Sequence, residues 1–591
     1  MSVSAASAQP SALPIAGPLL SPGRRRLALI LILLPVFVGA LDLTIVSAIL
    51  PEVLVKLGVS IDTNLGLAAW AVTGYLLAYT VSMTLMGRLS DLAGRRTVYL
   101  ICLAIFVAGS WWVASCEAYP TTLLVTIARQ VFHQRPDTSL MTLLAVIIGR
   151  VIQALGAGAM VPVSLALVGD MFPPGERSQP VGVVGAIDTV GWVLGHLYGG
   201  VMVRFFNDHS VALAGLLAPF GLPAPDWRTL FWINVPLGLI ALVATGWALR
   251  GVPHPKGHGG FDVLGALLLS GSLIALTLGF GGNTDISGTT SFDTTTGSSG
   301  SLFNIPLLIG AVVVFALFIL WELRSRSPLL DLRLFRKRNV SAASLTNLLV
   351  GFCLMLGLVS VPLLVNLRAK DASVDSIAQS AQQAGLLLSG LTIPMALAAV
   401  PGGVLSNRIG YRATTMLGLI LAAVGFLSAG LVWRVDTSDW LMMAQMAIAG
   451  IGLGLTISPI GTAVINDAAE DQRGVTSALV IILRLVGMTM AVSSMTAYAL
   501  ARVSVLVASA VAAFPAGLTP AMIQHQSELA YFDAGVHAID ELLIFGALAC
   551  LLALLPALLL HGRASTPGDI QPDRALPAAL SLPADALQSR N

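Results

Sequence analysis

Charge is scarce in this chain of 591 residues: Asp, Glu, Lys and Arg together make up 10% of it. A soluble globular domain carries about 25%, so that class is excluded. Lysine occurs only at 56, 256, 337 and 370, and the net charge is +2, so no nucleic-acid partner is expected. The four cysteines (Cys102, Cys116, Cys353, Cys550) are scattered without a C-x-x-C pair, which argues against a disulfide framework. His254 and His258 sit in a Gly/Pro loop without nearby acidic ligands, and no metal site is expected. No G-x-x-x-x-G-K-[ST] stretch is present, which excludes a P-loop ATPase. Gly297-Ser298-Ser299-Gly300 matches a membrane-protease motif by letters only, and no pairing supports nucleophilic catalysis, so no enzyme is expected. A disordered or collagenous chain is excluded by the high apolar content and the lack of a G-x-y period.

What is abundant is hydrophobicity, at 56% of residues with a mean hydropathy of +0.86. It comes in blocks of about 20 residues, enough to cross a hydrocarbon core of about 30 Å as a helix. Candidate spans fall at roughly 27–50, 67–86, 97–116, 140–168, 179–203 and 228–249, then 261–281 and 303–322. A last group falls at roughly 340–366, 382–405, 413–433, 440–465, 475–502 and 539–561. The expectation is an all-α polytopic membrane protein of about fourteen helices. A six-helix bundle would occupy 27–249, two extra helices with linkers 250–339, and a second six-helix bundle 340–561. Residues 1–26 and 562–591 read as disordered cytoplasmic tails. Val38-Gly39-Ala40 resembles a signal-peptide cleavage site, but the apolar run continues to Leu50, so an uncleaved first span is expected.

With the N-terminus inside, basic residues on inner loops outnumber those on outer loops about two to one, as the positive-inside rule requires. Both termini would then be cytoplasmic, in a bacterial inner membrane to which the Arg-, Ala- and Gly-rich composition points. Long outer segments are expected at 117–139, 204–227, 282–301 and 503–538, the last as an amphipathic or extended helix.

One loop is duplicated. Gly87-Arg88-Leu89-Ser90-Asp91-Leu92-Ala93-Gly94-Arg95-Arg96 follows the second span, and Gly403-Val404-Leu405-Ser406-Asn407-Arg408-Ile409-Gly410-Tyr411-Arg412 repeats it in the last group of six. Glycines allow a tight turn and Asp91 can cap a helix N-terminus, while the duplication implies two related halves, as in secondary transporters. Here the sequence resembles the major facilitator superfamily, whose signature loop 87–96 matches and whose degenerate second copy 403–412 matches. The six-two-six order resembles its fourteen-helix drug:proton antiporter branch. Leu41-Asp42-Leu43-Thr44-Ile45-Val46, Phe231-Trp232-Ile233-Asn234-Val235-Pro236, Phe261-Asp262 and Pro328-Leu329-Leu330-Asp331-Leu332 agree with that branch. The resemblance covers about residues 27–561.

In the fifth span Gly182, Gly191, Gly195, Gly199 and Gly200 fall at the spacings of the family's antiporter motif, which the resemblance associates with export. Glycines at 191, 195 and 199 share one helix face and allow close helix contact, a packing role that stands beside the directional one. His196 occupies the usual proline position, either as a titrating group or as a packed side chain.

Charges inside spans are costly and mark function by default. Asp42 lies roughly 22 Å, and Arg150 roughly 27 Å, from the inner side at 1.5 Å per residue, so the two match in depth within about one turn. Arg150-Val151-Ile152-Gln153 resembles the family's R-x-x-Q motif, with Ala154 replacing its glycine. Burial penalises a charged carboxylate and a neighbouring arginine favours it, so Asp42 is placed to take and lose a proton; the alternative is a static ion pair. Asp188 is a second acid, serving a proton relay or a cation site, or satisfied by a neighbouring hydroxyl such as Thr189. Arg484 balances an acid, binds an anionic head group or snorkels inward. Asp540 and Glu541 are expected at the outer start of the last span, explained by a helix N-terminus.

The leading expectation is proton-coupled efflux of a lipophilic or cationic compound by alternating access, using the proton gradient and no cofactor. Gly87, Asp91, Gly94, Arg95, Arg96, Asn407 and Arg408 would form the conformational-switch loops, and Asp42, Arg150 and Asp188 the proton-coupling set. The alternative is a lipid exporter, since spans thirteen and fourteen with the 503–538 connection resemble a mycobacterial lipid-exporting subgroup. Solute uptake, and a non-transporting sensor or membrane enzyme, are the other readings. The partners expected are the bilayer, protons and a lipophilic or lipid substrate, with an envelope lipoprotein left open.

Overall fold

The computed structural model describes residues 21–59, 67–68, 70–133, 136–217, 219, 224–252, 260–281, 304–325, 328–330, 332–368, 374–515 and 519–562, and the regular structure among them is all helical. The terminal segments 1–20 and 563–591, the tract 282–301, His254, Lys256, His258 and Lys370 lie outside the described residues.

The α-helices among the described residues are α1 (Pro22–Leu57), α2 (Trp70–Ala93), α3 (Arg95–Ala114), α4 (Tyr119–Gln130), α5 (Thr138–Ala157), α6 (Met160–Met171), α7 (Ser178–Asp208), α8 (Ser210–Leu217) and α9 (Trp227–Ala248). They continue with α10 (Val263–Gly281), α11 (Ile305–Glu322), α12 (Arg338–Arg368), α13 (Val374–Ile409), α14 (Tyr411–Val432), α15 (Asp439–Asp467), α16 (Arg473–Ala512) and α17 (Pro520–Ala557). Among the described residues 11 helical stretches are long and apolar enough to cross a membrane, with Thr138–Met171 counted as one. The chain is an all-α multi-pass membrane protein. α2, α7 and α10 are helical where spans were expected without being among those stretches.

Two sets of helices pack internally. In the first, α1 lies on α7 and α9, and α5 lies on α2 and α3. In the second, α12 lies on α16 and α17, and α15 lies on α13 and α14. Each set uses glycine for the same purpose. A Cβ at Gly109 of α3 would lie 2.5 Å from the Gln153 nitrogen of α5, and one at Gly425 of α14 would press on Ala449 of α15. Such contacts let backbones approach as membrane helix packing requires. The sets meet where α7 packs on α13 and α15, and where α2 and α6 pack on α16. The α10–α11 pair is seated through α10 on both α2 and α16, while α11 exposes Val312, Phe315 and Leu320. Exposed apolar rows of this kind match a lipid-facing surface.

Three local expectations change. The fourth expected span is interrupted at Gly158 and Ala159, between α5 and α6. The 117–139 segment contains helix α4. Asp540 and Glu541 sit well inside α17, which starts at Pro520, so a helix N-terminus does not account for them. They pair instead with Arg434, at 2.9 Å, and Arg502, at 2.7 Å. Among the described residues the connection 503–538 is mostly helical, because α16 runs out to Ala512 and α17 begins at Pro520.

Candidate functional site

The Asp42 carboxylate on α1 is bonded by side chains of two other helices, α5 and α9. Asp42 and Arg150 are both 0% exposed and form an ion pair, with Arg150 Nη1 donating to Asp42 Oδ2. Arg150 Nη2 also donates to the Asp42 carbonyl oxygen at 3.0 Å, so the arginine grips both backbone and side chain. The other carboxylate oxygen, Oδ1, accepts from Gln153 Nε2 and from Asn234 Nδ2, each at 3.0 Å. Gln153 in turn accepts from Arg150 at 2.8 Å and donates to Ser110 Oγ at 2.8 Å. The Arg150 guanidinium carbon lies 3.9 Å from the Tyr75 ring centroid and 5.9 Å from that of Phe231. A buried charge persists only when paired and hydrogen-bonded, and here both partners have those contacts. Protonation of such a carboxyl would neutralise it and leave the guanidinium without its counter-charge.

Asp188 of α7 and Arg484 of α16 form a second pair, Nη2 to Oδ2 at 3.2 Å, joining the two helix sets. This excludes the two bland alternatives: Arg484 does not snorkel away, and the Thr189 hydroxyl donates to the Gly185 carbonyl at 2.8 Å rather than to Asp188.

The 87–96 loop joins the two sets at one end of the helices. Asp91, 0% exposed, accepts from the backbone N–H of Gly474 through Oδ1 and of Val475 through Oδ2, both at 3.0 Å, and so caps the N-terminus of α16. Arg95 donates to Asp91 Oδ1 at 3.2 Å, to Asp170 of α6 and to the Glu470 carbonyl. Asp170 also pairs with Arg473 at 3.1 Å. Gly87 sits against Gly474, and a Cβ there would lie 3.0 Å from the Gly474 oxygen. Arg177 donates to Asn466 Oδ1 at 2.8 Å, which adds another link between the sets.

The second loop copies this backbone without copying its charge. Gly94 and Gly410 both precede a helix with positive φ, 97° and 89°, a conformation that favours glycine. Ser90 and Ser406 hydroxyls donate to the Gly87 and Gly403 carbonyls at 2.7 and 2.9 Å. Asn407, at the place of Asp91, leaves its buried Oδ1 without a partner. Arg408 is exposed, and Arg96 donates to the Gly246 carbonyl at the end of α9, at 3.0 Å.

The glycine stripe divides. Gly191, Gly195 and Gly199 pack on α1, against Ala40, Leu41, Thr44 and Ile45, the stretch that carries Asp42. Gly182 faces the other set, where a Cβ would lie 2.5 Å from the Ala399 oxygen of α13. Gly200 faces open space and drops out of the stripe, because one residue turns the helix by about 100°. His196 lies within α7, but its side chain is outside the described residues.

Sequence reasoning on charge missed Asn234, Ser110, Tyr75, Asp170, Arg473 and Asn466. Asn234 lay inside a quoted motif, but nothing in the letters aimed its amide at Asp42.

The Major Facilitator Superfamily profile matches residues 32–369. The chain belongs to the major facilitator superfamily. It is a secondary transporter of that superfamily, and not an enzyme. A triacylglyceride transporter of Mycobacterium tuberculosis (strain ATCC 25618 / H37Rv) is 30% identical over 91% of this chain and 95% of its own. One of Mycolicibacterium hassiacum is 32% identical over 82% of this chain and 81% of its own. Among solved structures, the human organic anion transporter MFSD10 superposes with a TM-score of 0.52 at 15% identity, over 91% of this chain and 100% of that one. A proton:xylose symporter superposes with a TM-score of 0.51 at 14% identity, over 89% of this chain and 95% of that one. These two show the superfamily fold alone.

Proposed function

We propose that this chain exports a lipid of the triacylglyceride class across a bacterial cell membrane, driven by inward proton movement. The observation that carries the lipid reading is the likeness to triacylglyceride transporters of mycobacteria, at about 30% identity across most of both chains. It reverses the order expected from sequence, which placed lipophilic or cationic compounds first and lipids second. A cleft of about 350 Å³ between α16 and α17 is lined by Leu506, Phe514, Leu529 and Ala534 and also by Gln526, Asp533 and His537, so it has both an apolar and a polar part.

The mechanism we favour is alternating access between two six-helix halves, with all fourteen long helical segments spanning and both termini cytoplasmic. The hydrogen bonds joining the two sets gather at the Asp91, Asp170 and Arg177 end and reach as deep as Asp188–Arg484. At the opposite end, Arg228–Glu117 ties the first set to itself, while Arg368–Asp439 and Arg434–Asp540 tie the second. That pattern fits a state closed inside. Asp42 is assigned as the principal proton carrier, Arg150 as its counter-charge and Asp188 as a secondary acid that also bridges the halves. Proton release on adding trioleoylglycerol in mixed micelles to the solubilised full chain tests this reading. Release by wild type and none by Asp42→Asn is expected; equal release by both would refute the assignment.

A further inference from the structure

The end of the helices that carries the 87–96 loop joins the two sets twice, in two copies of one arrangement. Asp170 and Asn466 are each the penultimate residue of a helix, α6 and α15. Each is followed by a 3-10 turn, Pro174–Glu176 or Glu470–Gln472, and then by an arginine, Arg177 or Arg473. In each copy the helix-end residue joins the side chain after the loop glycine of its own set to the arginine of the other set. Asp170 takes Arg95 and Arg473, the latter at 3.1 Å. Asn466 donates to the Tyr411 hydroxyl at 2.8 Å and accepts from Arg177 at 2.8 Å. The backbones close up on both sides: Gly87 sits against Gly474, and a Cβ at Gly403 would lie 2.5 Å from the Ser178 oxygen.

The packing is copied and the charge is not. The Asp170 side chain is 3% exposed and shared by two guanidinium groups. Arg177, 6% exposed, is met by neutral acceptors: Asn466 Oδ1, the Phe172 carbonyl at 2.9 Å and the Gly169 carbonyl at 2.7 Å. Among the described residues no carboxylate pairs with it. A buried cation without a paired counter-charge is costly, and burial, with Arg473 nearby, pulls this guanidinium down to about 10. Tyr411 stands where Arg95 stands, and Asn407 leaves its buried Oδ1 without a partner where Asp91 caps α16. At three positions of the second copy, 407, 411 and 466, a neutral group replaces a charge that holds the first.

We propose that Arg177, Asn466 and Tyr411 are positioning residues that form a weak copy of the Asp170 link, and that its missing charge limits how firmly this end of the two sets is held together. The inference rests on the alternating-access reading, in which this end must part in every cycle. Asn466→Asp would supply the missing charge by a single-group exchange. The Tyr411 hydroxyl can turn and donate to the new oxygen.

The experiment uses the full chain in detergent with spin labels on Gln179→Cys and Ile409→Cys, exposed positions on either side of the second link, the native cysteines being buried. Asp170→Asn breaks the charged link and should add a population at longer distance. Asn466→Asp added to that variant restores the net charge of wild type and should lower the open-to-closed ratio by about tenfold, the step from a neutral acceptor to a paired charge. A further Arg177→Met should abolish that gain. Should Asp170→Asn not fold, Asp91→Asn supplies the open background. No longer distance in the folded background, no reduction by Asn466→Asp, or a reduction that survives Arg177→Met overturns the proposal. Proton-coupled movement of a fluorescent triacylglycerol in proteoliposomes separates the two readings. If wild type moves no probe while the distances respond as stated, the lipid-transport reading fails and the second link stands.

Discussion

Replacing Asp91 by asparagine should open the inner end. The carboxylate uses both oxygens, Oδ1 for the Gly474 N–H and for Arg95, and Oδ2 for the Val475 N–H. An asparagine has one oxygen, so its amide nitrogen would face a backbone N–H that it cannot satisfy. Of the three bonds at least one is lost and the rest lose the carboxylate's charge, and hydrogen bonds to charged groups contribute about 1.5–3 kcal/mol each. The favourable placement of an anion at the α16 N-terminus, about 0.3–1 kcal/mol, is lost as well. A total of about 3 kcal/mol corresponds to roughly a 100-fold change in the ratio of closed to open forms at this end. Spin labels on Ala93→Cys and Ala469→Cys would report it, since both positions are exposed and the four native cysteines are buried. Asp91→Asn should add a population at longer distance. An unchanged distance distribution would refute the reasoning. Transport of all substrates should fall by similar factors, and a changed substrate ranking would contradict a role in switching.

Three further outcomes are expected. Gly195→Ala would drive its Cβ into Thr44 and the Leu41 carbonyl and should destabilise by about 1–3 kcal/mol; Gly200→Ala, facing open space, should not, and equal unfolding temperatures for the two would count against the stripe. Arg484→Met breaks the link between the sets at Asp188 and leaves that buried acid without its counter-charge, so proton-coupled movement should fall at least about tenfold while detergent-extracted protein remains folded by gel filtration. A reporter fused after Arg563 should behave as cytoplasmic and one inserted within 285–298 as external; opposite signals at the C-terminus would sink the even span count.

The large features of this chain are legible in its letters because the bilayer restricts what they can mean. A block of about 20 apolar residues has few structures open to it, and a charge inside one stands out against its surroundings. Asp42 and Arg150 therefore match by depth alone, and the loop at 87–96 is marked by its repeat at 403–412. Neutral partners leave a weaker mark: Gln153 and Asn234 stand in recognisable motifs, but nothing there says where their amides point. Asn234, Gln153 and Ser110 complete the Asp42 cage from three helices, and only packing decides that an amide points at that carboxylate rather than at a carbonyl. The glycine at 200 is equally opaque: six glycines share one helix, and the contact face of each depends on which neighbour lies there. Asp170 and Arg473 escape notice because they flank apolar runs, where a charge is ordinary until a second half is brought against it.

The central claim is that an inward proton gradient moves a lipid through this fold by way of Asp42. Proteoliposomes containing the full chain and a fluorescent triacylglycerol, with and without an imposed pH gradient, test it most directly. The account predicts probe movement that requires the gradient, stops on adding a protonophore and is absent in Asp42→Asn. Movement by Asp42→Asn at the wild-type rate, or wild-type movement indifferent to the gradient, would contradict it.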